Sequence, residues 1–215
     1  MEPTGIAGGK LASMNLTQPD LGIVYCSSIL GNNGPVAFGL ALGKQTLGEP
    51  GIVIVMMGDG SIEEGSFYEG LVFSKTHDLR VLTIIENNDH SMSSTIAQRR
   101  CPISVDDMCR AVEVPFRQMR GNDVWEYLEI VRDARRTVQE SGPMCIEVFV
   151  EALTNHSGPT PFGPSDPKHL SLDNGLIVEE SANDPVYVVE QNVPASAMAE
   201  MTDRVFAETW VGQTA

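Results

Sequence analysis

Two short apolar runs, each cut off by residues that cannot continue it, constrain this chain more than any other feature. IVIVMM (52–57) ends at Gly58-Asp59-Gly60, and VLTII (81–85) ends at Glu86-Asn87-Asn88. Runs of this length, rich in β-branched residues and bounded by turn formers, read as buried strands. Between them, residues 63–76 carry Phe67, Leu71 and Ser74/Lys75 at roughly helical spacing, so the unit reads β-α-β. A crossover of that kind makes the strands parallel. Both then stop at one edge of the sheet, where open α/β folds bind their ligands. That edge carries a carboxylate (Asp59), two side-chain amides (Asn87, Asn88) and glycines that let backbone come close. Such hard oxygens suit Mg²⁺, which is often bound together with a substrate's phosphates. Alone, Gly-Asp-Gly is an ordinary tight turn and Asn-Asn an ordinary loop. The pair, each member directly behind a strand, is what points to a site.

The alternation continues downstream. Residues 105–112 read as a short helix and 115–119 as a strand ending at Arg120-Gly121-Asn122-Asp123. Asp123 is an N-cap with Glu126 three residues on, as in a capping box, and Val124, Tyr127, Leu128, Val131, Ala134 and Val138 line one helix face. Ser141-Gly142-Pro143 stops that helix, and 144–150 is another buried strand. The expected fold class is α/β, a mainly parallel sheet with helices on both faces. Upstream, Gly34, Ala37, Gly39 and Ala41 weaken a predicted helix unless it packs closely on a neighbour. After Asn88, DHSMSSTIAQRRCPISVDD reads as a long polar loop, and directly behind a ligand edge such a loop is expected to be functional. Its Arg99 and Arg100 either meet a substrate carboxylate or phosphate or are solvated or at an interface. Near the C-terminus, 186–189 reads as an extended piece and 195–211 as an amphipathic helix with Met198, Met201, Val205, Phe206 and Trp210 on its apolar side.

GDGSIEEGSFYE and ENNDHSM resemble the thiamine diphosphate signature, and look most like the α subunits of 2-oxo-acid dehydrogenase E1 components, in the transketolase-like superfamily; the spacing from Asp59 to Asn88 fits. The resemblance spans residues 5–170 and implies a three-layer thiamine diphosphate-binding fold. It implies Mg²⁺ held by Asp59, the Asn88 side chain and the His90 backbone carbonyl and bridging the cofactor's two phosphates, with Gly58, Gly60, Ser61 and Ser91 also at the cofactor. GIAGGKLASMNL resembles the family's Gly-Gly-x-x-x-Ser-Met-His segment, with Asn15 where histidine is frequent. SSILGNNGPVAFGLALGKQ resembles its Gly-Ile-Val-Gly segment, which places Ser28 and Leu30 against the aminopyrimidine ring. Leu30 would wedge beneath the cofactor's bend, although by itself it reads equally as ordinary core. His156-Ser157 and Ser165-Asp166-Pro167 match the ends of the E1 α loop His-Ser-x-Ser-Asp-Pro over the diphosphate, with residues 158–164 inserted. His156 is thereby the implied catalytic residue, a hydrogen-bond donor or proton carrier at the diphosphate or the reacting carbonyl.

The same resemblance divides the chain into a diphosphate- and Mg²⁺-binding domain (1–170) and an extension (171–215) packed on it or at a subunit interface. The glutamate that activates thiamine diphosphate belongs to a pyrimidine-binding domain, and none follows here. A β-type partner subunit carrying that domain is implied, in an α2β2 assembly, together with whatever replaces the N-terminal segment usual in E1 α subunits. The implied reaction breaks the bond beside the carbonyl of a small-molecule 2-oxo acid, the cofactor taking the electrons. Glu63-Glu64-Gly65 also fits the N-terminal half of a split transketolase moving a two-carbon ketol unit. A third reading is a non-catalytic assembly subunit. A net charge of −15 speaks against nucleic acid or an anionic membrane as partner, yet not against a diphosphate whose charge a metal neutralises. No apolar run approaches the roughly 20 residues of a membrane helix, and no secretory signal is visible. Four cysteines without a C-x-x-C pair read as reduced thiols of a cytoplasmic protein, with Cys145 a packing residue.

Overall fold

The computed structural model describes residues 17–92, 94–151, 153 and 179–210. In chain order the elements are α1 (Asn33–Thr46), β1 (Val53–Gly58), α2 (Gly65–Thr76), β2 (Val81–Asn87), β3 (His90–Ser91), β4 (Ser94–Thr95), α3 (Ile96–Arg99), α4 (Val105–Ala111), β5 (Phe116–Met119), α5 (Val124–Ser141), β6 (Met144–Phe149), α6 (Pro185–Asn192) and α7 (Ala195–Trp210). Four strands form one sheet in the order β1-β2-β6-β5, every pair parallel. Val53 pairs with Val81 and Gly58 with Glu86, while Asn87 pairs with Phe149. The C-terminal ends of β1, β2 and β6 therefore lie side by side.

Helices cover both faces. On one, Phe38 of α1, Phe67 and Leu71 of α2, and Val105 and Cys109 of α4 pack with Val55, Met57, Val81 and Ile85. On the other, Ala134 and Val138 of α5 pack with Leu82, Met144, Ile146 and Val148. The outcome is the three-layer α/β arrangement expected. α5 packs mainly on β2 and β6, and Ile54 and Met56 of β1 stay 53% and 51% exposed. Among the described residues the first apolar run is thus an edge strand buried on one face, not the fully buried strand its composition suggests.

Local chemistry explains most element ends. Asp123 caps α5 by accepting from the backbone N–H groups of Trp125 and Glu126 at 3.0 and 3.1 Å. Gly142, at φ +93°, lets the chain leave that helix. The buried stripe of α5 is shifted from the expected one: Tyr127, Ile130, Val131, Ala134 and Val138 pack, while Val124 and Leu128 are exposed. Residues 186–189 are helical in α6, not extended, because Asp184 caps Val186 and Tyr187 and Pro185 pre-sets the first turn. The supposed polar loop after Asn88 is folded: β3 and β4 form a small antiparallel hairpin that runs into α3. Thr95 and Gln98 form a capping box there. Cys145 is fully buried, and its hydrogen bond with Cys109 together with burial pushes its thiol pKa well up, leaving an inert packing group. Among the described residues no helix is long and apolar enough to cross a membrane.

Close helix packing involves the expected small residues of α1 except Gly39, and one glycine that was not expected. Gly34, Ala37 and Ala41 are buried in α1, but Gly39 is exposed, and a Cβ there would meet nothing within 4 Å. The tight glycine is Gly70 of α2, where a Cβ would come within 1.8 Å of Phe38 Cε2. Gly39→Ala is therefore expected to gain up to about 1 kcal/mol from helix propensity. Gly70→Ala is expected to lose about 1–3 kcal/mol by overpacking. Urea unfolding of the two variants checks the contrast, and equal shifts would contradict it.

Candidate functional site

Because β1 and β2 are in register, Asp59 emerges directly behind β1 and its N–H donates to Glu86 O at 3.1 Å. The Asp59 side chain is only 1% exposed. Just beyond, a 3₁₀ turn (Ser61–Glu63) leads into α2. Gly60 backs onto the hairpin so closely that a Cβ would lie 2.5 Å from Ser91 Oγ. Asp59, Gly60, Ser61 and Ser91 are thereby brought to one place, and a Cβ on Gly60 would also lie 4.0 Å from Leu30 Cδ1.

The two asparagines diverge, as alternation along an extended chain requires. Asn87 turns to β6, donating through Nδ2 to the buried Glu147 carboxylate at 2.8 Å. Asn88 Oδ1 accepts from His90 N at 3.0 Å. His90 Nδ1 lies 3.1 Å from Asn88 O and, facing a carbonyl, carries the proton there. Asp89 sits at φ +61° and pins the hairpin by accepting from Ile96 N through Oδ1 and its carbonyl.

Arg99 was the least expected member. Its Nη2 lies 2.6 Å from Asp59 Oδ2, its Nε 3.0 Å from Glu63 Oε1, and its Nη1 donates to Ser94 O. Arg100 Nε shares the same Glu63 oxygen at 3.0 Å. Their side chains are 13% and 11% exposed, so neither is a solvated surface group. Burial opposes the Arg99 charge, but hydrogen bonds to Glu63 and Asp59 more than offset this, and its pKa lies above the ordinary arginine value. From the sequence, Arg99 reads as a loop cation for a substrate anion or for solvent, not as the partner of Asp59. What marks its role, the approach of 94–100 to β1, is a long-range contact with no local signal.

A cleft of about 90 Å³ opens beside this cluster, lined by Ser27, Ser28, Leu30, Gly31, Asn33, Met57 and Ser61. Ser28 and Leu30 both line this cleft, and Leu30, at 49% exposed, is not core. Asn33, not singled out from the sequence, has a buried Oδ1 without a hydrogen-bond partner among the described residues. Buried acceptors are nearly always satisfied, so this atom suits a donor on a bound molecule. His156, the remainder of its loop, and the glycine-rich segment with Asn15 lie outside the described residues.

Carboxylate, amide and backbone-carbonyl oxygens from Asp59, Asn88 and His90 are the donor chemistry of Mg²⁺. Among the described residues no three His, Cys, Asp or Glu gather as a metal-holding group, and this set contains one carboxylate. The arrangement fits the ion chemically, with one qualification: Asp59 is already engaged by a guanidinium. Alanine at Gly58 would meet nothing within 4 Å, whereas alanine at Gly60 would also come within 2.8 Å of Ser91 Cβ. Gly60→Ala is expected to lose about 1–3 kcal/mol in urea unfolding, and Gly58→Ala to stay within about 0.5 kcal/mol of wild type. Equal losses would mean the hairpin does not press on the Gly-Asp-Gly turn.

Comparison with known proteins bears on family and fold. The 2-oxoisovalerate dehydrogenase subunit alpha of Bacillus subtilis is 30% identical over 152 residues, covering 70% of this chain and 46% of the relative. The pyruvate dehydrogenase E1 component subunit alpha of Rickettsia felis is 26% identical over 202 residues, 93% of this chain and 60% of the relative. The chain thus spans about half the length of such relatives. A transketolase structure from Campylobacter jejuni superposes with a TM-score of 0.53 at 18% identity, over 65% of this chain and 22% of that one, a likeness of fold. The family model described as Dehydrogenase E1 component matches residues 2–159, and the chain belongs to that family.

Proposed function

We propose that this chain is the thiamine diphosphate- and Mg²⁺-binding α-type subunit of a heteromeric enzyme that decarboxylates a 2-oxo acid or passes on the resulting acyl unit. The observation that carries the reading is the buried Asp59 carboxylate at the C-terminal edge of β1, beside the Asn88–Ser91 turn at the end of β2. Asp59, the Asn88 side chain and the His90 carbonyl would hold the ion. Gly58 and Gly60 would let backbone approach the diphosphate, with Ser61 and Ser91 as neighbouring hydroxyl donors. Ser28, Leu30 and Asn33 line a cleft suited to the ring portion, Leu30 supplying apolar contact and Asn33 Oδ1 an acceptor. When bound, thiamine diphosphate supplies the electron sink for breaking the bond beside a carbonyl.

The chain's own contribution is binding and orientation, with His156 as the proposed proton carrier or hydrogen-bond donor. A β-type subunit would bring the activating glutamate, in an α2β2 assembly working in the cytoplasm. Residues 1–170 would form the diphosphate-binding domain and 171–215 an extension. The family match over residues 2–159 favours a 2-oxo acid over ketol transfer.

Asp59→Asn keeps the side-chain shape and removes the charge. In the enzyme purified with its accompanying subunits, it is expected to weaken Mg²⁺-dependent retention of thiamine diphosphate on the order of 100-fold or more. Substrate-dependent reduction of an electron acceptor should fall with it. Wild-type retention and activity in this variant would overturn the metal assignment. A wild-type complex that retains no cofactor would favour the assembly-subunit reading instead. Ketol transfer between sugar phosphates without acceptor reduction would favour the split transketolase.

A further inference from the structure

The charge cluster at Asp59 is balanced within itself. Asp59 and Glu63 carry two negative charges, Arg99 and Arg100 two positive ones, and all four side chains are a quarter exposed or less. A carboxylate as buried as Asp59 is costly without a counter-charge, and the guanidinium at 2.6 Å provides one. A divalent cation on the same carboxylate would stand beside that guanidinium, and like charges repel strongly away from water. Arg99 has somewhere else to put its charge: Glu63 Oε1 already accepts from its Nε at 3.0 Å. The planar fork of arginine spans Asp59, Glu63 and the Ser94 carbonyl together, which a lysine's single ammonium does not.

We propose that Arg99 is an internal counter-ion latch, which holds Asp59 when no cation is bound and must release it before a divalent ion can bind there. This rests on the reading of Asp59 as a cation ligand. The latch has a consequence for order. A cation alone adds positive charge to a neutral cluster and must displace Arg99 uncompensated. A cation arriving with a diphosphate brings its own negative charge, and the freed guanidinium has a second anion to meet. The chain therefore binds the ion weakly alone and well only together with diphosphate. Arg100, bound to Glu63 but not paired with Asp59, stays in place.

Mn²⁺ binding, followed by electron paramagnetic resonance with and without inorganic diphosphate, tests this in the 215-residue chain with its accompanying subunits. Arg99→Gln is expected to bind Mn²⁺ alone at least tenfold more tightly than wild type. Arg100→Gln removes the same charge nearby and should change the affinity less than threefold. Arg99→Lys keeps the charge and guards against a folding failure of the glutamine variant; it should gain at least threefold. Diphosphate should enhance Mn²⁺ binding to wild type far more than to Arg99→Gln. Equal gains in Arg99→Gln and Arg100→Gln, with none in Arg99→Lys, would reduce the effect to a diffuse field and overturn the latch. If Asp59→Asn abolishes binding while Arg99→Gln and Arg99→Lys match wild type, the metal site stands and the latch falls. If Asp59→Asn binds Mn²⁺ with diphosphate as well as wild type does, the reading of Asp59 fails and the latch with it.

Discussion

Parallel strands must each be reached by a crossover, so strands that pair in register also finish at one edge. Here the register runs from Val53 against Val81 to Gly58 against Glu86, and on to Asn87 against Phe149. That alignment sets the Gly58-Asp59-Gly60 turn beside the Asn87-Asn88 turn and directs the chain leaving β6 toward the same edge. Sliding β2 by a single residue would turn Val81 and Ile85 out of the cluster under α1 and α2. The buried faces therefore hold the site in place. Phe67, Leu71 and Phe38, packed in the same cluster as Val81 and Ile85, make that slip costly.

Asp59 is where this frame meets electrostatics. A carboxylate directly behind β1 is lifted out of water by its surroundings, and a buried charge needs an answer. In the described structure the answer comes from forty residues along the chain, through the hairpin of β3 and β4 and the short α3. The hairpin is held by Asp89 and by the Thr95–Gln98 capping box, local features that aim Arg99 without touching Asp59 themselves. A segment without hydrophobic periodicity is thus ordered by charge and hydrogen bonds rather than by burial.

Much of the frame was legible in the chain because short-range rules set it. The β-branched runs, the Asp123 cap and the Gly142 stop produced strands and a helix where their chemistry requires them. Where such rules were applied too broadly, the structure departs from them. Residues 186–189 are β-branched, yet Asp184 and Pro185 start a helix there. Val124 and Leu128 fit the apolar stripe of α5 by spacing, but the sheet meets the helix on the Ile130 side. Ile54 and Met56 look like core and lie on the uncovered face of an edge strand.

By itself the sequence determined the β-α-β unit, the turn residues that end its strands, and the hard-oxygen groups those turns carry. These follow from propensity and patterning, which act over a few residues. Tertiary structure alone decided that β1 is an edge strand and that Gly70, not Gly39, is the crowded glycine. It also decided that Asn87 serves Glu147 while Asn88 stays with the turn, and that Arg99 pairs with Asp59. Each of these depends on which distant surface arrives opposite a given side chain, and desolvation then sets what that meeting is worth; neither is encoded within a few residues of the position concerned.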